Sequence, residues 1–314
     1  MRIIFMGTAE LACRPLEALC VDFQIVAVVT QPDRPRGRDL KLQPSAVKAF
    51  AAKRALPILQ PARVREPQFI EEVRALAPDL IVVVAFGQII PQAILDLPRY
   101  GCLNVHTSLL PRHRGAAPIQ WAIAEGDSET GVTIMKMDAG LDTGPILTQA
   151  RTPIIEDDTA ATLHDRLGDL GAELLIKTIP DYAAGKIAPV PQPADGATYA
   201  RKITKEDGLI DWQQPARTIH NRVRAFVPWP GAYTGREAKG TRSLMKIWKT
   251  APVNAAGEPG KVLASEAGEL LVGCGEGALR ILEVQREGGR RMSTAEYLAG
   301  HPIREGEYLG GTQT

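Results

Sequence analysis

Residues 79–87 read Asp-Leu-Ile-Val-Val-Val-Ala-Phe-Gly (DLIVVVAFG), an unbroken run of aliphatic, mostly β-branched side chains. A strand covered on one face only would alternate apolar with polar residues; an unbroken run suits a central strand buried on both faces, as in a parallel sheet flanked by helices. Upstream, RIIFMG and FQIVAVVTQ repeat the pattern, with the helix-like ELACRPLEALC between them. PSAVKAFAAKRA, PILQP, PQFIEEVRALA, PQAILDL and GCLNVHTS continue the alternation. ETGVTIMKMD and GPILTQARTPI read as two more strands around AGLDTG, before a long helix from Asp158 or Thr159. The order predicts an α/β domain with a parallel sheet covered by helices over residues 1–190.

The proline-rich KIAPVPQPADGATYARKIT lacks periodicity and reads as a linker or surface wrap, residues 191–207. From residue 208 the chain changes character. The helix-like PARTIHNRVRAF precedes short runs such as LMKIWKT, ELLVGCG and ALRILEVQ, separated by glycine-bearing turns. These predict a small antiparallel barrel or sandwich as a second domain, residues 208–314.

Composition narrows the function less than pattern does. The chain has 314 residues, 45% hydrophobic and 23% charged, with a net charge of +1. No apolar run approaches the roughly 18 residues a membrane span needs, so a soluble, cytoplasmic protein is expected. Four scattered cysteines show no metal-ligand spacing, so a reduced compartment and no metal are expected. The first strand–helix turn, MGTAELA, holds one glycine where a dinucleotide fingerprint needs three, and no Walker loop or G-x-S-x-G elbow occurs.

Chemistry is concentrated in NVHTSLLPRHRG and MDAGLDTGPI. On a strand, alternation puts Asn104, His106 and Ser108 on one face and Val105 and Thr107 on the other. A polar row at the carboxyl end of a strand is where open α/β sheets place their sites. Asn104 offers an amide donor, His106 an acid, base or electrophile, and Asp142 a carboxylate on a glycine-flanked loop. This set suits acyl transfer to an amine, which needs donors for an oxyanion and a proton relay but no serine or cysteine nucleophile.

Through RIIFMGT, TQPDRPRGR, PDLIVVVAFGQIIP, NVHTSLLPRHRGAAPIQWAI, GDSETGVTIMKMDAGLDTGPIL, ATYARKITKEDGLIDW and RAFVPWPGAY, the chain resembles the folate-dependent formyltransferase family nearly end to end. The resemblance implies a Rossmann-like α/β domain followed by a small OB-like β-barrel domain, and catalytic roles for Asn104, His106 and Asp142, with 10-formyltetrahydrofolate as co-substrate. It also implies folate contacts at Phe86, Gly87 and Ile89 and a pocket wall at Ser108, Leu109, Leu110 and Pro111. His113 stands where relatives often carry an aromatic residue, and is expected to be a solvated loop residue.

The amine must be argued separately. Family members act on initiator methionyl-tRNA, a glycinamide ribonucleotide or an amino sugar nucleotide. The loop TQPDRPRGRDLKLQPS, with Arg34, Arg36, Arg38 and Lys41, resembles the loop that meets the acceptor end of tRNA, with Arg38 at the matching position. In the second domain Arg236, Lys239, Arg242, Lys246 and Lys249 form a cation-rich run that a strand could line up over a phosphate backbone. The expected substrate is therefore initiator methionyl-tRNA, and the expected oligomeric state a monomer. An amino sugar nucleotide or another small amine is the alternative substrate. A non-catalytic RNA-binding protein is the rival class. Trp229 is expected to pack at a domain joint and Trp248 in the core.

Overall fold

In the computed structural model, residues 1–36, 41–238, 241–266 and 268–310 are described. Two compact units emerge, Met1–Pro118 with Glu129–Pro153 and His164–Ala200, and Ile119–Ser128 with Ile154–Leu163 and Arg201–Thr314.

The first unit is built on β1 (Arg2–Gly7), β2 (Gln24–Val29), β3 (Arg34–Arg36), β4 (Lys41–Gln43), β5 (Ile58–Leu59) and β6 (Leu80–Val84). These are followed by β7 (Cys102–His106), β8 (Arg114–Gly115), β9 (Glu129–Lys136), β10 (Ile146–Pro153) and β11 (Tyr199–Ala200). The main sheet has the order β10-β9-β7-β6-β1-β2-β5. From β5 to β7 the pairs are parallel. All five residues of β6 are buried, as its β-branched run requires. Each such side chain contributes about 1.5–3 kcal/mol on leaving water. The sheet is not wholly parallel: β9 runs antiparallel to β7, and β10 antiparallel to β9. A short loop such as AGLDTG cannot make the long crossover a parallel pair needs, so β9 and β10 close as a hairpin. Helices α1 (Cys13–Asp22), α2 (Ala46–Lys53), α3 (Pro67–Ala75) and α4 (Gln92–Leu95) cover the sheet connections, and most of α6 (Ala160–Ala183) belongs to this unit.

The proline-rich stretch is held against the first unit as far as Ala200. Val190 bridges Ile146, and β11 pairs in parallel with β8. Its contacts therefore make it a strap on the first unit, the surface wrap of the two expected forms, as far as Ala200.

The second unit contains most of α5 (Pro118–Ala124), α7 (Ala216–Ala225), β12 (Ala232–Ala238), β13 (Thr241–Val253), β14 (Val262–Ala264), β15 (Leu271–Gly273), β16 (Ala278–Arg286), β17 (Arg291–Ser293) and α8 (Thr294–Gly300). Its antiparallel sheet has the order β12-β13-β16-β15-β14, with β17 added to β16. The open edges are joined by the tail: Arg236 of β12 bridges Leu309, and Lys261, just before β14, bridges Tyr308. This closure makes a small barrel, one of the two forms expected from the short runs. Trp212, Ile219, Met245, Ile247, Leu279 and Ile281 fill it, with the Trp212 indole donating to Thr234 Oγ1 at 3.0 Å. At the start of this unit, Asp207 accepts from both terminal nitrogens of Arg201 and from Thr204 N, which holds its carboxyl down to about 2.

Arg236 does not join a surface row of cations. It is only 8% exposed. Its guanidinium donates to Tyr297 Oη at 3.3 Å, to the carbonyls of His301 and Pro302, and lies 3.8 Å from Glu307. An Arg236→Ala variant deletes a buried guanidinium and leaves the Tyr297 hydroxyl, the two carbonyls and Glu307 without their donor, and is expected to lose about 2–4 kcal/mol of stability. Urea denaturation should show a lowered midpoint with an unchanged slope.

Among the described residues, no helix is long and apolar enough to cross a membrane.

Candidate active site

The site is assembled from the carboxyl end of β7 and three loops of the first unit. Asn104 and His106 lie two positions apart on β7, which pairs with β6 on one side and β9 on the other. Period-two geometry therefore gives them one face. Ser108 is not part of the row. β7 stops at His106, and the buried Ser108 hydroxyl donates to the Arg112 carbonyl at 2.6 Å, closing the loop.

Asp142 arrives on the loop between β9 and β10. Gly144 is required there, because a Cβ would lie 1.9 Å from the Lys136 carbonyl. Asp142 itself has φ +52. The left-handed conformation costs a residue with a Cβ roughly 1–2 kcal/mol. The loop is held from both sides. Asp138 Oδ1 accepts from Gly140 N and Thr143 Oγ1 at 3.0 and 2.8 Å. Gln192 Nε2 donates to the carbonyls of Asp142 and Gly144, each at 2.8 Å. Two such bonds contribute about 1–3 kcal/mol, enough to offset the conformational cost.

The Asp142 carboxylate is then aimed by donors. Asn104 Nδ2 donates to Oδ1 at 3.2 Å and Gly115 N to Oδ2 at 2.8 Å. Because a carboxylate only accepts, the nitrogen of the Asn104 amide must face it, which leaves a second N–H on that amide for another acceptor. His106 Nδ1 lies 3.8 Å from Asp142 Oδ2. That separation exceeds a direct hydrogen bond and suits an intervening water or a reacting group.

The other imidazole nitrogen decides the tautomer. His106 Nε2 is 2.9 Å from the His113 carbonyl oxygen, which can only accept. Nε2 therefore carries a proton, and in the neutral ring the lone pair sits on Nδ1, facing Asp142. His106 is 6% exposed, so its ring is fixed by packing and by this bond together. His113, expected in solvent, is 2% exposed and has φ +58. Its N–H donates to Thr198 Oγ1 at 2.9 Å, and Arg114 N donates to the Thr198 carbonyl. The strap thus holds the loop whose backbone supplies the His113 carbonyl and the Gly115 amide.

The expected folate residues divide. β1 and β6 are neighbours at the point where the strand order reverses direction, the crevice in which open α/β sheets bind ligands. Phe86, Gly87 and Ile89 follow β6 there. Ile89 is 87% exposed and Gly87 is exposed at φ +80. Phe86 does not face outward: its ring is buried, and its carbonyl already accepts from Thr8 Oγ1 and Gln31 Nε2 at 2.9 and 2.8 Å. In the expected wall, Leu110 is buried, its N–H bonded to Thr133 Oγ1 and its carbonyl to Gln149 Nε2. Ser108 and Leu110 are anchors of the loop, which leaves half-buried Leu109 and Pro111 as its accessible part.

Of the expected RNA-facing cations, Arg38 and Lys239 lie outside the described residues. Arg34 and Arg36 are in β3 and Lys41 in β4, two strands paired as a small antiparallel sheet. Arg34 is exposed. Asp33 beside it is bound by Lys48 at 2.7 Å and by Gln60, hydrogen bonds that lower its pKa. Arg242 is in β13 with Lys246 and Lys249. Lys249 is exposed, whereas Lys246 donates to the Pro230 carbonyl at 3.0 Å and sits over the Trp248 ring. Trp248 is a partly exposed residue rather than core, flanked on its ring by Lys246 and Arg291. Trp229 is 52% exposed, contrary to the expectation of close packing.

Residues 1–179 match the family described as formyl transferase, and residues 202–302 the formyl transferase C-terminal domain. The methionyl-tRNA formyltransferase of Pelobacter propionicus is 52% identical over 314 residues, spanning 99% of this chain and 97% of that protein. The methionyl-tRNA formyltransferase of Caldanaerobacter subterraneus subsp. tengcongensis is 51% identical over 313 residues, spanning 98% of this chain and 100% of that one. Among solved structures, the N-formyltransferase of Helicobacter canadensis, in complex with folinic acid and dTDP-3-aminofucose, has a TM-score of 0.67 at 19% identity. That match covers 92% of this chain and 99% of the other, and shows a shared fold.

Proposed function

We infer the reaction from the premise that this chain belongs to the formyl transferase family: it transfers the formyl group of 10-formyltetrahydrofolate to the α-amino group of initiator methionyl-tRNA. The observation that carries the substrate is the identity of about half to methionyl-tRNA formyltransferases through both domains. The N-formyltransferase in complex with dTDP-3-aminofucose shares the fold at only 19% identity. The enzyme is read as a cytoplasmic monomer.

The geometry supports the following division of labour. Folate lies in the crevice after β1 and β6, against Gly87 and Ile89, with Leu109 and Pro111 at its rim. The free N–H of Asn104 meets the formyl oxygen as negative charge develops on it. The amine attacks the formyl carbon, and His106 Nδ1 accepts its proton. The C–N bond to folate breaks as a proton is delivered to the departing nitrogen. Asp142 stabilises the transient imidazolium and aims the ring, directly or through water. No covalent enzyme adduct is needed.

A formylation assay comparing charged initiator methionyl-tRNA, glycinamide ribonucleotide and an amino sugar nucleotide should show turnover on the tRNA alone. Activity on a small amine with none on the tRNA would overturn the substrate assignment. For the charged loop, Arg38→Ala is expected to raise KM for the tRNA about tenfold or more while KM for the folate stays unchanged. Equal changes in both constants would remove the loop from tRNA recognition.

A further inference from the structure

Gln192 lies between the two stretches matched by the family, residues 1–179 and 202–302, in the proline-rich strap. Its side chain is nonetheless fully engaged at the site. Both carbonyls that its amide nitrogen meets belong to the catalytic loop, those of Asp142 and Gly144. Its amide oxygen accepts from Arg114 Nε at 3.0 Å and Nη2 at 2.6 Å. Arg114 stands between His113, whose carbonyl receives His106 Nε2, and Gly115, whose N–H meets Asp142 Oδ2. One side chain therefore ties together the loop that carries the carboxylate and the loop that orients the imidazole.

We propose that Gln192 is a positioning residue for the formyl transfer, setting the Asp142 carboxylate against His106 by pinning the Asp142 loop to the loop containing Arg114. The proposal rests on the reading that Asp142 acts with His106. It requires a side chain that donates and accepts at once. Glutamate has the same size and keeps the Arg114 contact, but as a carboxylate it cannot donate to the two loop carbonyls.

The test is a set of three substitutions in the full-length enzyme, assayed by kcat and KM for formylation of methionyl-tRNA. Gln192→Ala should lower kcat about 10- to 100-fold, the scale of a misplaced catalytic group, with KM for tRNA unchanged. Gln192→Glu should be at least as impaired, and being isosteric it guards against loss of folding as the cause. In an Asp142→Asn background the further substitution Gln192→Ala should change kcat by less than about twofold, since residues acting through one group are not additive. Wild-type turnover in Gln192→Ala, full activity in Gln192→Glu, or the same fold-loss in both backgrounds would each overturn the proposal. Failure of the underlying reading is seen separately, as near-normal activity in Asp142→Asn alone.

Discussion

Replacing His106 with alanine is expected to lower the turnover of formyl transfer by about 10²–10⁴-fold while leaving tRNA affinity within about twofold. The size follows from what is removed. The imidazole is the side chain whose free nitrogen faces Asp142 Oδ2, at 3.8 Å, with its other nitrogen already bound to the His113 carbonyl. In the proposed mechanism alanine deletes both the proton acceptor and the group whose transient charge the carboxylate stabilises. The cations proposed to carry affinity for RNA lie elsewhere in the chain, so binding and chemistry should separate cleanly. Single-turnover formylation gives the rate and filter retention gives the affinity. A variant that formylates at the wild-type rate would exclude the proposed proton route.

Asp142→Asn is expected to lower kcat by about 10²–10³-fold and stability by about 1–3 kcal/mol. The substitution preserves shape, and asparagine tolerates φ +52 well. Its failure is electronic. The two carboxylate oxygens face two donors, the Asn104 amide and Gly115 N–H. An asparagine presents one oxygen and one NH₂: with its oxygen on Gly115 N–H its NH₂ meets the Asn104 NH₂, a clash relieved only if the Asn104 amide flips and turns its own N–H groups away from the site. It also brings no charge to balance an imidazolium. Steady-state kinetics together with a urea titration measure both effects. Normal turnover in a variant that retains the fold would show that the carboxylate charge is dispensable.

The parts of the site carried by side chains on regular structure were legible in the sequence. The run DLIVVVAFG marked the buried strand, and alternation along NVH placed Asn104 and His106 together. The parts supplied by the backbone were not. The His113 carbonyl and the Gly115 amide have no residue signature, because any residue has both groups, and only the pairing of residues 198–200 with this loop aims them. Gln192 was hidden by its surroundings, since a proline-rich, aperiodic stretch reads as a linker or surface wrap, and neither reading singles out one glutamine. Arg236 misled for the opposite reason. Charge sign put it among exposed cations, but its burial depends on the segment through Pro302 and Leu309 folding back over β12. Trp229 was likewise judged by its proline neighbours, which say nothing about which way the ring faces.

The left-handed backbone at Asp142 sets stability against activity at a single position. A redesign that scored local backbone energy alone would install glycine there, relax the loop, and erase the carboxylate that two donors and a distant glutamine are arranged to hold. Stabilised versions of this enzyme should therefore be sought by leaving residue 142 strained and improving the molecule everywhere else.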